Sequence, residues 1–157
     1  MRGLKIIKGD FFLASHVKAI IDLINDYILD DMGGGAPLCR ERQQGLILGL
    51  QKHPGTHVFL ARYKKEFVGL AVCFEGFSTF EAKKLLNIHD LIVMNEYRGR
   101  GIGKKILEAT EDYARANSFC RLTLEVREDN KKAQKLYLER GIGPKEAPML
   151  FWIKELM

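Results

Sequence analysis

The chain predicts one mixed α/β domain. Segments of alternating or continuous apolar residues interleave with segments of helical period along its 157 residues. No repeat, low-complexity tract or change of composition divides it. Its apolar runs, such as "FVGLAVCF" at 67–74, are far too short to span a bilayer. A hydrophobic fraction of 46% beside 29% charged residues is that of an ordinary water-soluble domain with a real core.

The elements follow in order. "LKIIK" (4–8) predicts a short strand, ended by Gly9-Asp10. Val17, Ile20, Ile21, Ile24, Tyr27 and Ile28 recur at helical spacing and predict a helix from Ser15 to Ile28. "DDMGGGAPL" (30–38) breaks that period and predicts a flexible loop. "RERQQGLILGLQKH" (40–53) reads as a weaker helix stopped by Pro54-Gly55. "THVFLARY" (56–63) and "EFVGLAVCFEGF" (66–77) predict a hairpin around Lys64-Lys65. "LLNIHDLIVM" (85–94) is a further apolar strand. After a glycine-rich turn come a helix at 106–118, a strand at 121–128, a helix at 130–141 and a closing strand at 148–156.

The turn is "NEYRGRGIGKKILEATEDY", residues 95–113. Glycines let successive N–H groups converge on one point, and a helix start adds its positive dipole end. With Arg98, Arg100 and Lys104 alongside, the pattern suits a pyrophosphate. It is not a Walker A loop, because Gly99 and Gly103 enclose three residues and Lys104 is followed by Lys105 in place of a hydroxyl. Nor is it the dinucleotide fingerprint, because Gly99, Gly101 and Gly103 give G-x-G-x-G and a hairpin precedes them.

What fits is R-x-x-G-x-G, read as Arg98-Gly99-Arg100-Gly101-Ile102-Gly103 between an apolar strand and a helix. Downstream, "LTLEVREDNKKAQKLYLERG" supplies a strand, Asn130, Ala133 and Tyr137 at matching places. On these motifs, over roughly residues 85–143, the chain resembles the GNAT superfamily of acyl-CoA-dependent N-acetyltransferases; it departs in having Gly141-Ile142 where the family has Gly-Phe. The resemblance implies a single-domain GNAT fold over 1–157, a mixed central β-sheet flanked by helices, with acetyl-CoA as co-substrate and no metal. It implies that the CoA pyrophosphate lies on the turn from Arg98 to Lys104, that is Arg98, Gly99, Arg100, Gly101, Ile102, Gly103 and Lys104. The pantetheine arm would pair with Leu91, Ile92 and Val93, and Asn130, Ala133 and Tyr137 would complete the cofactor side.

Acetyl transfer to an amine needs a base, an oxyanion donor and an acid for the thiolate, around a tetrahedral intermediate formed by direct attack. A strand N–H at Leu91 or a neighbour suits the oxyanion. Tyr137 is the candidate acid, since a phenol with ordinary pKa of ~10 keeps its proton at neutral pH; packing against the sheet is its alternative role. His89 and Asp90 are the candidate bases. Polyamine acetyltransferases of the family carry Glu at the position matching His89, and serotonin acetyltransferases carry His. Strict alternation puts Asn87, His89, Leu91 and Val93 on one face and Ile88, Asp90 and Ile92 on the other, unless a bulge intervenes. Glu75 and Glu125 read first as solvated strand positions, with the acceptor side as the alternative. Asp30 and Asp31 read first as turn chemistry, and second as attraction for a cationic amine.

The expected acceptor is a primary amine of a small molecule: a polyamine, an amino acid or a related amine. A macromolecular amine (protein or aminoacyl-tRNA) and a non-catalytic acyl-CoA sensor are the alternatives. A net charge of +5 spread along the chain, with no arginine-rich tail, argues against a nucleic-acid partner. Cys39, Cys73 and Cys120 form no CxxC pair and read as reduced thiols in a cytoplasmic protein, and His16, His53 and His57 have no metal-ligand spacing. No membrane partner and no secretion are expected, the first residues having no apolar segment before a cleavage site. "MLFWIKELM" is apolar enough for the homodimer contact that the resemblance allows.

Overall fold

The computed structural model describes residues 2–31, 33, 35–144 and 149–156. Five strands form one sheet in the order β1-β2-β3-β4-β5: β1 (Leu4–Lys8), β2 (Thr56–Tyr63), β3 (Glu66–Ser78), β4 (Lys83–Val93) and β5 (Leu122–Leu124). The first four are antiparallel to their neighbours, and β5 joins β4 in parallel. A parallel neighbour needs a crossover, and α3 (Ile102–Ala116) supplies it. This is the mixed sheet flanked by helices that the sequence predicts.

Two cores form because alternate residues of the central strands point to opposite faces. On one face, Val58, Leu60, Leu70, Val72 and Ile92 pack against Ala19, Ile20 and Leu23 of α1 (Ala14–Leu29) and Leu50 of α2 (Arg40–Lys52). On the other, Phe59, Ala61, Ala71, Leu86 and Ile88 pack against Ile102, Ile106 and Leu107 of α3. Leu136 and Tyr137 of α4 (Lys131–Glu139) close that second core. The stripe Ile102, Ile106, Thr110, Ala114 repeats every fourth residue, so α3 buries a continuous face; full burial of Ile106 alone is worth about 1.5–3 kcal/mol. Thr110 lies within that stripe at no polar cost, its Oγ1 donating to the Ile106 carbonyl at 2.8 Å. Among the described residues no helix is long and apolar enough to cross a membrane.

Three elements differ from their sequence prediction. The crossover helix starts at Ile102, four residues before the predicted 106, because Gly101 in the left-handed region (φ 78°) caps it and lets the glycine-rich stretch enter the helix. The strand predicted over 121–128 holds pairing only from Leu122 to Leu124. Beyond it Arg127 turns back on Asp129 with two bonds of 2.9 and 2.7 Å, which suits a turn and not a ladder. The closing strand predicted over 148–156 is absent from described residues 149–156, where Phe151 is 77% and Trp152 84% exposed. Its apolar side chains find no cover in this sheet, and Pro148 lies outside the described residues.

Candidate active site

The site sits where β4 and β5 part. Their pairing runs only from Leu86↔Leu122 to Ile88↔Leu124, while β4 continues to Val93. The cause lies on β4 itself. Val72 pairs with Asp90 and Cys73 with Ile88, leaving His89 as an extra residue, a β-bulge that bends the strand away.

The bulge also corrects the strict alternation. Asp90 pairs with Val72, whose side chain belongs to the α1–α2 core, so Asp90 points to that face. The His89 ring packs edge-on to Phe74 of the same core, with centroids 5.4 Å apart. Both candidate bases therefore share one face, and His89 does not share the face of Leu91 and Val93, which pack with the α3 core. Burial pushes the Asp90 carboxyl above its ordinary range, opposed by the neighbouring His89.

Past the bulge, the outer edge of β4 carries backbone groups with no strand opposite them among the described residues. The Met94 N–H donates to Val68 of β3 at 3.0 Å, so by alternation Ile92 also faces β3, and Leu91 and Val93 turn their N–H and C=O groups outward. Arg98 Nε occupies the Val93 carbonyl at 2.8 Å. The Leu91 N–H and C=O and the Val93 N–H remain as an open edge on which an amide-bearing chain can add in register.

The glycine turn follows directly. A 3-10 turn at Asn95–Tyr97 leads into Arg98, and Gly99 (φ 73°) and Gly101 (φ 78°) both adopt a backbone that a Cβ would strain. The first helical bond of α3 runs from Lys105 N–H to the Gly101 carbonyl, so the N–H groups of Gly101, Ile102, Gly103 and Lys104 have no acceptor within the helix. No side chain caps them. Gly103 lets the helix sit close to α4, since a Cβ there would meet Leu136 at 3.0 Å. Arg100 and Lys104 line a cleft beside Gly101, and Arg100 also lies over the Tyr97 ring at 5.3 Å. These groups fit a pyrophosphate: converging donors, a helix start and two cations.

Two basic side chains of this stretch have carboxylate partners. Arg98 Nη1 pairs with Asp30 at 2.7 Å, and Lys105 Nζ pairs with Glu108 at 2.6 Å. Asp30, at the end of α1, thus anchors the turn. Asn130 is the N-cap of α4, its Oδ1 accepting from the Ala133 N–H at 3.1 Å, so the matched pair Asn130 and Ala133 builds the helix that carries Tyr137.

Tyr137 is half-buried against the α3 core, and burial together with nearby Tyr27 pushes its phenol above the ordinary value. Tyr27 belongs to α1 and packs on the opposite core. Arg140 holds α4 on α3 by a hydrogen-bonded ion pair with Glu111 (2.6 Å) and a longer ion pair with Glu108 (3.6 Å).

Sequence reasoning did not find Tyr27, Gln134 or the Asp30–Arg98 pair. Gln134 Nε2 donates to the carbonyls of Arg127 and Glu128, both at 2.9 Å, and so shapes the loop before α4. A glutamine one turn after the N-cap was the available signal. Glu75 and Glu125 part company. Glu75 pairs across from Leu86, faces the α3 side and bonds His57 and Lys84, each at 2.8 Å. Glu125 accepts from the Asn87 amide at 3.3 Å on both oxygens. Burial pushes the Cys73 thiol up to about 12, leaving it protonated.

The chain matches the Acetyltransferase (GNAT) family over residues 21–143. It is 30% identical over 132 residues to the uncharacterized N-acetyltransferase YhfO of Bacillus subtilis, covering 81% of this chain and 83% of that protein. It is 34% identical over 74 residues to a thialysine N-epsilon-acetyltransferase of Bos taurus, covering 47% of this chain and 43% of that one. A solved probable acetyltransferase superposes with a TM-score of 0.82 at 19% identity, covering 96% of this chain and 99% of the other. An aminoglycoside acetyltransferase from an uncultured soil metagenomic sample, in complex with sisomicin, does so with a TM-score of 0.79 at 20% identity, covering 99% and 97%. At these two identities the likeness is one of fold.

Proposed function

The chain belongs to the GNAT family of N-acetyltransferases, and from that premise we propose that it moves an acetyl group from acetyl-CoA to a primary amine of a small molecule. What supports this is the grouping, along and just after the unpaired end of β4, of a glycine turn that fits an anion, an open strand edge and two candidate bases, with the Tyr137 phenol packed on the same α3 core as Leu91 and Val93.

Acetyl-CoA, when bound, supplies an activated thioester. The N–H groups from Gly101 to Lys104, with Arg100 and Lys104, would hold its pyrophosphate, and the outer edge at Leu91 and Val93 its amide-bearing arm. The Leu91 N–H would donate to the oxygen on which negative charge develops, leaving the Leu91 carbonyl and the Val93 N–H for the arm. Tyr137 keeps its proton at neutral pH, since its phenol is shifted upward, and so holds it for the departing sulfur. On the other face, His89 and Asp90 take the proton that an ammonium acceptor must lose. Asp90, raised by burial, is a stronger base than an ordinary carboxylate.

A small acceptor is favoured by the names of two relatives, one acting on thialysine and one bound to sisomicin, both cationic amines. The test is thiol release from acetyl-CoA across polyamines, amino acids, aminoglycosides and peptides. Turnover with a small amine supports the proposal. Acetyl-CoA binding without turnover on any small amine would move the acceptor to a protein or aminoacyl-tRNA, or leave a sensor.

A further inference from the structure

We propose that Lys8 is a reactive lysine of the protein itself, an acyl acceptor for thioesters that His57 deprotonates and Glu75 orients. Lys8 lies outside the candidate active site. Its Nζ sits over the Tyr113 ring, 3.6 Å from the centroid. Tyr113 stands toward the far end of α3, about 16 Å along the helix from Ile102 at the glycine-turn end.

β1 is an edge strand, and Lys8, its last residue, is exposed. On β2, His57 Nδ1 lies 3.0 Å from Lys8 Nζ. His57 Nε2 donates to Glu75 Oε1 of β3 at 2.8 Å, which leaves Nδ1 as the acceptor that faces Lys8. An amine, an imidazole within hydrogen-bond reach and a carboxylate behind the imidazole follow the nucleophile, base and orienter order of activated nucleophiles. Tyr113 Oη also approaches Nδ1, at 3.1 Å, so two donors compete for one lone pair. Lys84 of β4, the other lysine of the cluster, pairs with the second Glu75 oxygen at 2.8 Å. Burial pushes the Lys8 amine below its ordinary value, opposed by Cys73 and Glu75. The Tyr113 and Phe59 rings, the latter 4.5 Å away, favour the charged form.

The step balances with a thioester as co-reactant. The Lys8 ammonium gives one proton to His57, which releases it to solvent. The Nζ lone pair then bonds to the thioester carbonyl carbon, and the C–S bond breaks with its electron pair leaving on sulfur. A second nitrogen proton passes through His57 to the thiolate. The products are Nζ-acetylated Lys8 and a free thiol; nothing is oxidised or reduced, and the lysine loses its charge.

The test incubates wild type with the acetyl thioester of N-acetylcysteamine and follows each lysine by peptide mass spectrometry. Lys5, exposed on the same strand, is the internal reference. Lys8 is expected to be acetylated at least about tenfold faster than Lys5 at neutral pH. That ratio falls as the pH drops below the ordinary histidine value of ~6.5 and His57 takes up a proton. In His57→Gln, shown to be folded by its melting transition, Lys8 reacts at the Lys5 rate. Equal rates for the two lysines in wild type, or a ratio that does not change with pH, would overturn the proposal without any variant. An advantage that folded His57→Gln retains would overturn it as well. The probe carries no pyrophosphate for the glycine turn, so these results leave the transferase reading to its own test, amine-driven thiol release from acetyl-CoA.

Discussion

Arg98 ties the phosphate-type turn to the first helix: its Nη1 lies 2.7 Å from Asp30 while its Nε lies 2.8 Å from the Val93 carbonyl. One side chain therefore fixes the end of α1, the end of β4 and the entry to α3. Arg98→Ala removes a charge-assisted bond and a carbonyl partner, a loss of about 1–2 kcal/mol. We expect the melting temperature to fall by several degrees and the KM for acetyl-CoA to rise several-fold, with kcat changed less. Calorimetry and steady-state kinetics on the same preparation check both.

Gly101→Val places a β-branched residue at φ 78° on the helix cap, at a strain of about 1–2 kcal/mol or more. Relaxing that strain turns the converging N–H groups away from one another. Equilibrium binding of acetyl-CoA is expected to weaken by at least tenfold. The substitution Gly45→Ala, in α2 where a Cβ meets nothing within 4 Å, leaves that binding unchanged.

Most of the fold was legible in the sequence, and the failures share a cause. The β-rich run before Lys64-Lys65 found β2 at Thr56–Tyr63 to the residue, because its central residues are buried on both faces and leave a continuous apolar stretch. The R-x-x-G-x-G stretch found the turn, because left-handed glycines at 99 and 101 leave a local mark. The bulge at His89 leaves none. Every residue of 85–94 fits a regular strand, and only pairing with β3 shows that one is extra. The reach of Arg98 to Asp30 joins residues far apart in sequence, so no local pattern carries it. Residues 149–156 read as a strand by composition alone, which says nothing about whether a partner edge exists.

A pH dependence of stability follows from the far end of the α3 face. Lys8 Nζ (3.0 Å) and Tyr113 Oη (3.1 Å) both approach His57 Nδ1, so that nitrogen accepts and Nε2–H donates to Glu75 at 2.8 Å. Burial, aided by Lys8 and opposed by the bond to Glu75, lowers the His57 pKa. The unfolded chain then binds the proton first, with an ordinary pKa of ~6.5. Stability from this group is full above that value and is lost as pH falls below it toward the lowered folded pKa. The Glu75 carboxyl, held low by its bonds to Lys84 and His57, adds a separate loss only in the acid carboxylate range. Between pH 7.5 and 5.5, the fall in melting temperature is expected to be smaller for His57→Gln than for wild type. Thermal scans at the two pH values measure it.

The bases divide by their pH profiles. A base works deprotonated, so activity falls as pH drops through its pKa. With Asp90 raised by burial, an Asp90-based profile breaks above the ordinary carboxylate range, and Asp90→Asn removes the break along with most of the rate. If His89 is the base, His89→Gln does the same and Asp90→Asn keeps the break. kcat/KM against pH for both variants assigns the role.

Transfer through the gap between β4 and β5, with Tyr137 holding the proton, is tested most directly by Tyr137→Phe. The substitution keeps the ring that packs on the α3 core and removes only the hydroxyl. Acetyl-CoA affinity and amine-driven thiol release are measured together. We predict affinity within a few-fold of wild type and a turnover lower by about a hundredfold or more. Turnover unchanged in the phenylalanine variant, at unchanged affinity, would contradict the account.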